Sequence, residues 1–138
     1  MKVSIVAWLL LVSVSAFAEN DAMSIAEGVR SCWDLQSRLG QESCLAEIGE
    51  ELEVRRNHLR DQRIELVYNS GHKEQILSAS EEWMRFRESE CSVVKDQFES
   101  ASLQNAKVVE CEIYFTVRRV EELQHYIDCT QNGCPWFF

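Results

Sequence analysis

Two runs of sequence decide the fold, and the first reads Trp83-Met-Arg-Phe-Arg87-Glu-Ser-Glu-Cys91. Its Trp83, Arg87 and Cys91 stand four residues apart, so in a helix all three lie on one face. The second run opens at Cys111 and keeps helical spacing through Phe115, Arg119 and Leu123. The two runs therefore predict two helices, each presenting one cysteine.

The segment between these runs predicts a turn. Residues 100–106 read Ser-Ala-Ser-Leu-Gln-Asn-Ala, and position 101 lies midway between Cys91 and Cys111. Two antiparallel helices that turn near this position bring the two thiols level with each other. The buried seam of the first helix is predicted by a seven-residue repeat of Leu77, Met84, Cys91 and Phe98. The pattern favours a helical hairpin closed by a disulfide.

The six cysteines allow many pairings, and hairpin geometry narrows the choice. We expect the disulfides Cys32–Cys44, Cys91–Cys111 and Cys129–Cys134. A structural zinc site is the rival interpretation of these cysteines. It is disfavoured because the chain has no C-x-x-C pair and its three histidines do not cluster in sequence. We therefore expect no metal ion and no cofactor.

The N-terminal residues indicate export. Lys2 precedes an apolar run over residues 3–14, and small residues follow in Ser15-Ala-Phe-Ala18. This is the pattern of a secretory signal peptide cut after Ala18, and the run is shorter than the roughly 20 apolar residues of a membrane span. We expect a signal peptide over 1–18 and one domain over 19–138. The mature protein would be periplasmic or secreted, without membrane insertion, in a compartment where disulfides persist.

The charge of the chain restricts its partners. It has 23 acidic and 14 basic residues, a formal net charge of −9 at pH 7. Such a chain repels nucleic acids and anionic membrane surfaces and attracts basic proteins. We therefore expect a protein partner and no nucleic acid.

The remaining sequence predicts further helices. Ser24-Ile-Ala-Glu27 has the form of a capping box, and Gly40 is placed to end the helix that follows it. A second helix is expected from about Ser43 into the sixties, a third up to about Ser100 and a fourth from about Lys107 to Asp128. The predicted fold is all-α, a small disulfide-stapled bundle of about four helices arranged as two antiparallel hairpins.

Buried and exposed positions are predicted from the spacing within these helices. The second helix buries leucines that include Leu45, Leu52, Leu59 and Leu66. A basic cluster that includes Arg55, Arg56 and Arg60 is most simply a solvated face. Arg87 and Arg119 fall near the apolar face. Arg87 is placed to stack on Trp83, and either arginine is placed to hydrogen-bond across the hairpin or to contact a ligand.

No catalytic constellation stands out in the sequence. A Gly-rich phosphate loop, a G-x-S-x-G turn and an H-E-x-x-H helix are all missing. Neighbouring acids such as Glu81 and Glu82 are expected in so acidic a chain and usually face water. The sequence therefore predicts a binding protein rather than an enzyme, with no catalytic residues.

The two runs resemble the LprI-type lysozyme-inhibitor domain. That family's pattern is W-x-x-x-R-x-x-x-C, a variable turn, then C-x4-T-x2-R-x3-L. Every fixed position has a match here, in order Trp83, Arg87, Cys91, Cys111, Thr116, Arg119 and Leu123. The resemblance implies a secreted or periplasmic protein that blocks a lysozyme or another basic hydrolase of the cell envelope by docking on it.

Two other functions stay open at this point. The same stapled helices suit an immunity protein that neutralises a different envelope-targeting toxin. The other alternative is an enzyme that acts on the cell wall, although no motif supports it.

The C-terminal tail departs from the family pattern. Cys129 and Cys134 enclose a short loop, and Pro135 restrains the chain before Trp136, Phe137 and Phe138. These three rings either cover one end of the bundle or form an exposed anchor for the partner. They are the partner-binding candidates that the sequence offers.

Overall fold

Four helices make up the computed structural model, which describes residues 13–98 and 100–133. They are α1 (Ser13–Trp33), α2 (Arg38–Glu65), α3 (Ser70–Lys95) and α4 (Ala101–Asn132), and this part of the chain contains no strand. The all-α fold class is therefore confirmed. Across the described ranges no helix combines the length and the apolar character that crossing a bilayer requires.

The most extensive helix–helix contact is between α2 and α4. At one end Leu45 and Leu52 of α2 share a core cluster with Ala106 and Ile113 of α4. Further along both helices Leu59 packs with a second set, Val120, Leu123 and Ile127. Since the partners advance together along both helices, α2 and α4 run parallel. The helices α1 and α3 run the opposite way, so the chain forms two antiparallel hairpins.

Each hairpin carries a disulfide near its turn. Cys32 pairs with Cys44 across the α1–α2 turn, and Cys91 pairs with Cys111 across the α3–α4 turn. Their Cα atoms lie 5.5 and 5.7 Å apart, a separation that suits a disulfide. Both predicted pairings are confirmed. The predicted Cys129–Cys134 bond involves residue 134, which lies outside the described residues, and it stays a prediction.

The starts of α1 and α2 differ from the sequence prediction. The helix α2 begins at Arg38 rather than near Ser43, so Gly40 lies in its first turn instead of ending α1. The Ser37 Oγ accepts a hydrogen bond from the Gly40 N–H at 3.0 Å and caps the helix there. Ser24 lies inside α1, so the predicted start at a capping box is also wrong. The predicted cleavage after Ala18 is not tested by these bounds.

Serine capping also sets the start of α4. The Ser100 Oγ accepts from the Leu103 N–H at 3.2 Å, and α4 therefore begins at Ala101 rather than near Lys107. The turn falls close to the position that the cysteine symmetry predicted.

The far end of α4 extends beyond the predicted boundary at Asp128. Residues 129–132 are helical rather than a loop, and Gly133 ends the helix with a φ of 76°. Its N–H donates to the Cys129 carbonyl oxygen at 2.9 Å. Glycine adopts this left-handed φ without a Cβ clash, which is why the helix ends at this residue.

Candidate functional site

The fixed positions of the two runs meet between α3 and α4. Trp83 and Arg87 come from α3, and Thr116 and Arg119 come from α4. The Arg87 Nη1 donates to the Thr116 Oγ1 at 2.8 Å. The guanidinium carbons of Arg87 and Arg119 lie 5.1 and 5.8 Å from the centroid of the Trp83 ring. The predicted stacking of Arg87 on Trp83 is therefore present, and both arginines contact protein groups.

The other three fixed positions extend the contact between α3 and α4 in both directions along the hairpin. Cys91 lies one helical turn after Arg87, is fully buried and is bonded to Cys111. Leu123 lies one turn after Arg119 and is buried in the second core cluster. The matched residues thus fasten α3 to α4 and bury one side of α4.

A carboxylate from α2 completes the cluster. The Glu53 Oε1 accepts a hydrogen bond from the Arg87 Nη1. The Glu53 Oε2 accepts from Arg56 Nε at 3.1 Å and from Arg56 Nη2 at 2.9 Å. Burial raises the pKa of Glu53, but the hydrogen bonds and charges of Arg56 and Arg87 outweigh it and hold that pKa below its ordinary value. Glu53 therefore stays ionised. Because Arg87 of α3 donates both to Glu53 of α2 and to Thr116 of α4, three helices meet at this ion pair.

Arg56 is the residue of this cluster whose place the sequence analysis predicted wrongly. It is only 2% exposed, although it was assigned to a solvated basic face. Its Nη1 donates to the Ser80 Oγ at 3.2 Å, and its guanidinium carbon lies 5.3 Å from the Trp83 centroid. A sequence signal did exist, since Arg56 lies between Leu52 and Leu59 at helical spacing on the buried stripe.

We call the set Glu53, Arg56, Trp83, Arg87, Thr116 and Arg119 the polar joint. Its charges are arranged for holding helices together, since three guanidiniums surround the Trp83 ring and two of them, those of Arg56 and Arg87, share the Glu53 carboxylate. The Arg87 Nε is buried without a hydrogen-bond partner among the described residues. A buried donor without an acceptor lowers stability.

An open groove of about 530 Å³ runs between α2 and α4 beside the polar joint. Arg87, Glu53, Glu112 and Thr116 lie along it, and Glu50 stands at its exposed margin. Burial raises the pKa of Glu112 above its ordinary value. The positive charge of Arg87 opposes that rise, and the negative charges of Glu88 and Glu53 add to it. The groove thus holds one carboxyl whose pKa is raised, Glu112, beside one whose pKa is lowered, Glu53.

The partner-binding candidates from the sequence, Trp136, Phe137 and Phe138, lie outside the described residues.

Within residues 13–98 and 100–133 no group of three His, Cys, Asp or Glu side chains is placed to hold a metal ion. The arrangement that the structure does show is a buried joint flanked by acidic surface.

The chain matches no protein-family model, no curated protein and no solved structure.

Proposed function

We propose that this chain is an exported binding protein, periplasmic or secreted, that docks on a basic hydrolase of the cell wall and inhibits it. The expected target class is lysozyme. The protein works as a rigid acidic surface and performs no chemistry of its own.

The observation that carries the proposal is the contact among the motif positions. Residues far apart in sequence, such as Arg87 and Thr116, hydrogen-bond directly, and Cys91 is bonded to Cys111. Positions that a fold keeps fixed are expected to contact one another. Their contact in this chain supports the resemblance to LprI-type inhibitors.

The distribution of charge supports a basic partner. Much of the positive charge is taken up within the chain, because Arg55, Arg56, Arg60, Arg85, Arg87, Lys107 and Arg119 all form ion pairs with acids. Exposed acids such as Glu82, Glu88 and Glu90 form none among the described residues. The excess of unpaired carboxylates provides the negative potential that steers a basic protein into contact.

The disulfides support an oxidising location. A chain of this length has a modest core, and both hairpins of the bundle are stapled. Such bonds persist in secreted and periplasmic proteins and are rare in the cytosol.

The experiment is a direct binding measurement on immobilised basic lysozymes of the c and g types. The protein is produced with residues 1–18 as its export signal and is purified after export. We expect it to bind at least one of these lysozymes. The control is the same chain after reduction and treatment with iodoacetamide, which retains the side-chain charges and loses both staples. The measurement is made at a temperature at which circular dichroism shows the control to be unfolded. Equal binding by the unfolded control would mean that charge alone is responsible, and the proposal would fail.

A second measurement addresses the immunity-protein alternative. Co-purification from native envelope extract followed by mass spectrometry should recover a lysozyme-type hydrolase. Recovery of an unrelated toxin, with no lysozyme bound in the direct measurement, would replace the proposed function by that alternative.

A further inference from the structure

An exposed group of aromatic rings lies on the outer face of the α3–α4 hairpin. The rings of Phe86 and Phe115 pack edge to face with centroids 5.7 Å apart, and those of Tyr114 and Phe115 do the same at 5.5 Å. Phe86 is 51% exposed and Tyr114 is 55% exposed. We call these three residues the aromatic strip.

The rings are held in place even though they face solvent. Phe115 is half-buried between the other two rings, and the Arg118 Nη1 donates to the Tyr114 Oη at 2.6 Å. The helices that carry the strip are joined by the Cys91–Cys111 disulfide and by the polar joint. Rigid aromatic side chains lose little conformational entropy on binding, which is why they dominate many interfaces.

The acids beside the strip indicate the chemistry of its partner. Glu82 and Glu90 lie one helical turn before and after Phe86. Both are exposed, and neither forms an ion pair among the described residues. An apolar ring between two unpaired carboxylates suits a surface that presents Lys or Arg side chains, because their stems pack on the ring while their charged ends meet the acids.

We infer that the aromatic strip is the surface that docks on the basic partner, with Phe86 and Tyr114 as its anchors and Glu82 and Glu90 as its charged rim. This inference rests on the proposed function and names the contact surface for it. It assigns the anchor to the α3–α4 hairpin, whereas the sequence offered the C-terminal rings.

The test measures binding of basic c-type and g-type lysozymes to the full chain and to four variants. Phe86→Ala and Tyr114→Ala should each raise the Kd at least about tenfold, as expected for central aromatic anchors. The double variant Glu82→Gln/Glu90→Gln should slow association several-fold at low salt. The matched control is Tyr68→Ala, which removes a fully exposed ring from the α2–α3 turn and should leave the Kd unchanged.

Three results would overturn the inference. The first is binding of Phe86→Ala and Tyr114→Ala at the wild-type Kd, which would leave the proposed function intact. The second is a wild-type chain that binds no lysozyme, which would remove the proposed function and this inference together. The third is a wild-type dimer in sedimentation that Phe86→Ala abolishes, because the aromatic strip would then bind a second copy of this chain. Melting curves confirm that each variant is folded, and the glutamine double variant supplies the test if the alanine variants do not fold.

Discussion

The Arg87 guanidinium donates to the Thr116 hydroxyl at 2.8 Å, and this hydrogen bond joins α3 to α4 inside the bundle. Both residues are fixed positions of the motif, and each is buried. Glu53 from α2 binds the same Nη1 group, so three helices meet at one guanidinium. The motif residues therefore hold helices together. Substituting them should first lower the free energy of unfolding.

The substitution Glu53→Gln tests the polar joint. It retains the shape of the side chain and removes the charge that Arg56 and Arg87 share, leaving two buried guanidiniums without a counterion. We expect the free energy of unfolding to fall by about 2–3 kcal/mol, below the full loss for a buried pair because part of Glu53 faces solvent. Urea denaturation measures this change. The control Glu51→Gln, at an exposed position on the same helix, should change it by less than about 0.5 kcal/mol.

The lowered pKa of Glu53 gives that effect a pH dependence. The folded state holds the carboxylate ionised more strongly than the unfolded state does, so its stabilising contribution is present above the unfolded pKa. The contribution is lost as the pH falls through the folded pKa. The stability difference between wild type and Glu53→Gln should therefore shrink below about pH 4. A difference that stays constant from pH 7 to pH 3 would contradict the ion-pair account.

Glu112 should behave in the opposite way, because its pKa is raised. Stability associated with its neutral form is fully present below the unfolded pKa and is lost as the pH rises through the folded pKa. We expect Glu112→Gln to increase stability at pH 7 by at most about 1 kcal/mol, since part of the group is solvated, and to have no effect below about pH 4. Melting temperatures across pH measure this, with Glu121→Gln on the exposed side of α4 as the control.

Removal of the Cys91–Cys111 disulfide should destabilise the fold without changing its helical content at low temperature. The bond closes a separation of 20 residues, and by the chain-entropy argument the double serine variant should lose about 3 kcal/mol. Thermal unfolding followed by circular dichroism measures the loss. Non-reducing peptide mapping of the wild type should recover Cys91 linked to Cys111. A peptide linking Cys91 to Cys32 would contradict the hairpin arrangement.

Charge steering predicts a salt-dependent association rate with a basic lysozyme. Exposed charges are screened beyond about 10 Å at 0.1 M salt, so the association rate should fall steeply between low and high salt while the dissociation rate changes less. Stopped-flow mixing measures both rates. An association rate that is flat across this range would indicate that the contact is apolar and that the acidic surface has no part in it.

The fold could be predicted from the sequence to the level of helices and staples, because both depend on local spacing. The two confirmed disulfides follow from the distances between cysteines and turns. The seven-residue repeat predicted the buried face of α3 less accurately, since Leu77 is 44% exposed and its neighbour Ile76 is buried. A straight helix repeats every 3.6 residues, so a strict seven-residue repeat drifts around its surface.

Features that depend on contacts between helices were missed. Arg56 was assigned to solvent because its neighbours Arg55 and Arg60 carry the same charge. Its burial depends on the approach of Ser80 from α3, in addition to the ion pair with Glu53 on its own helix. The aromatic strip was missed for the same reason. Phe86 lies on α3 and Tyr114 on α4, and their common surface exists only once the hairpin closes.

The most direct test of the proposed function is inhibition of cell-wall lysis by basic c-type and g-type lysozymes. The rate of lysis of a cell-wall suspension is measured while purified protein is added, with the reduced and iodoacetamide-treated chain as the control. We expect the folded protein to inhibit at least one lysozyme in a dose-dependent manner, and the control to leave its activity unchanged. Undiminished lysis at a large molar excess of folded protein, for every lysozyme tested, would contradict the proposal.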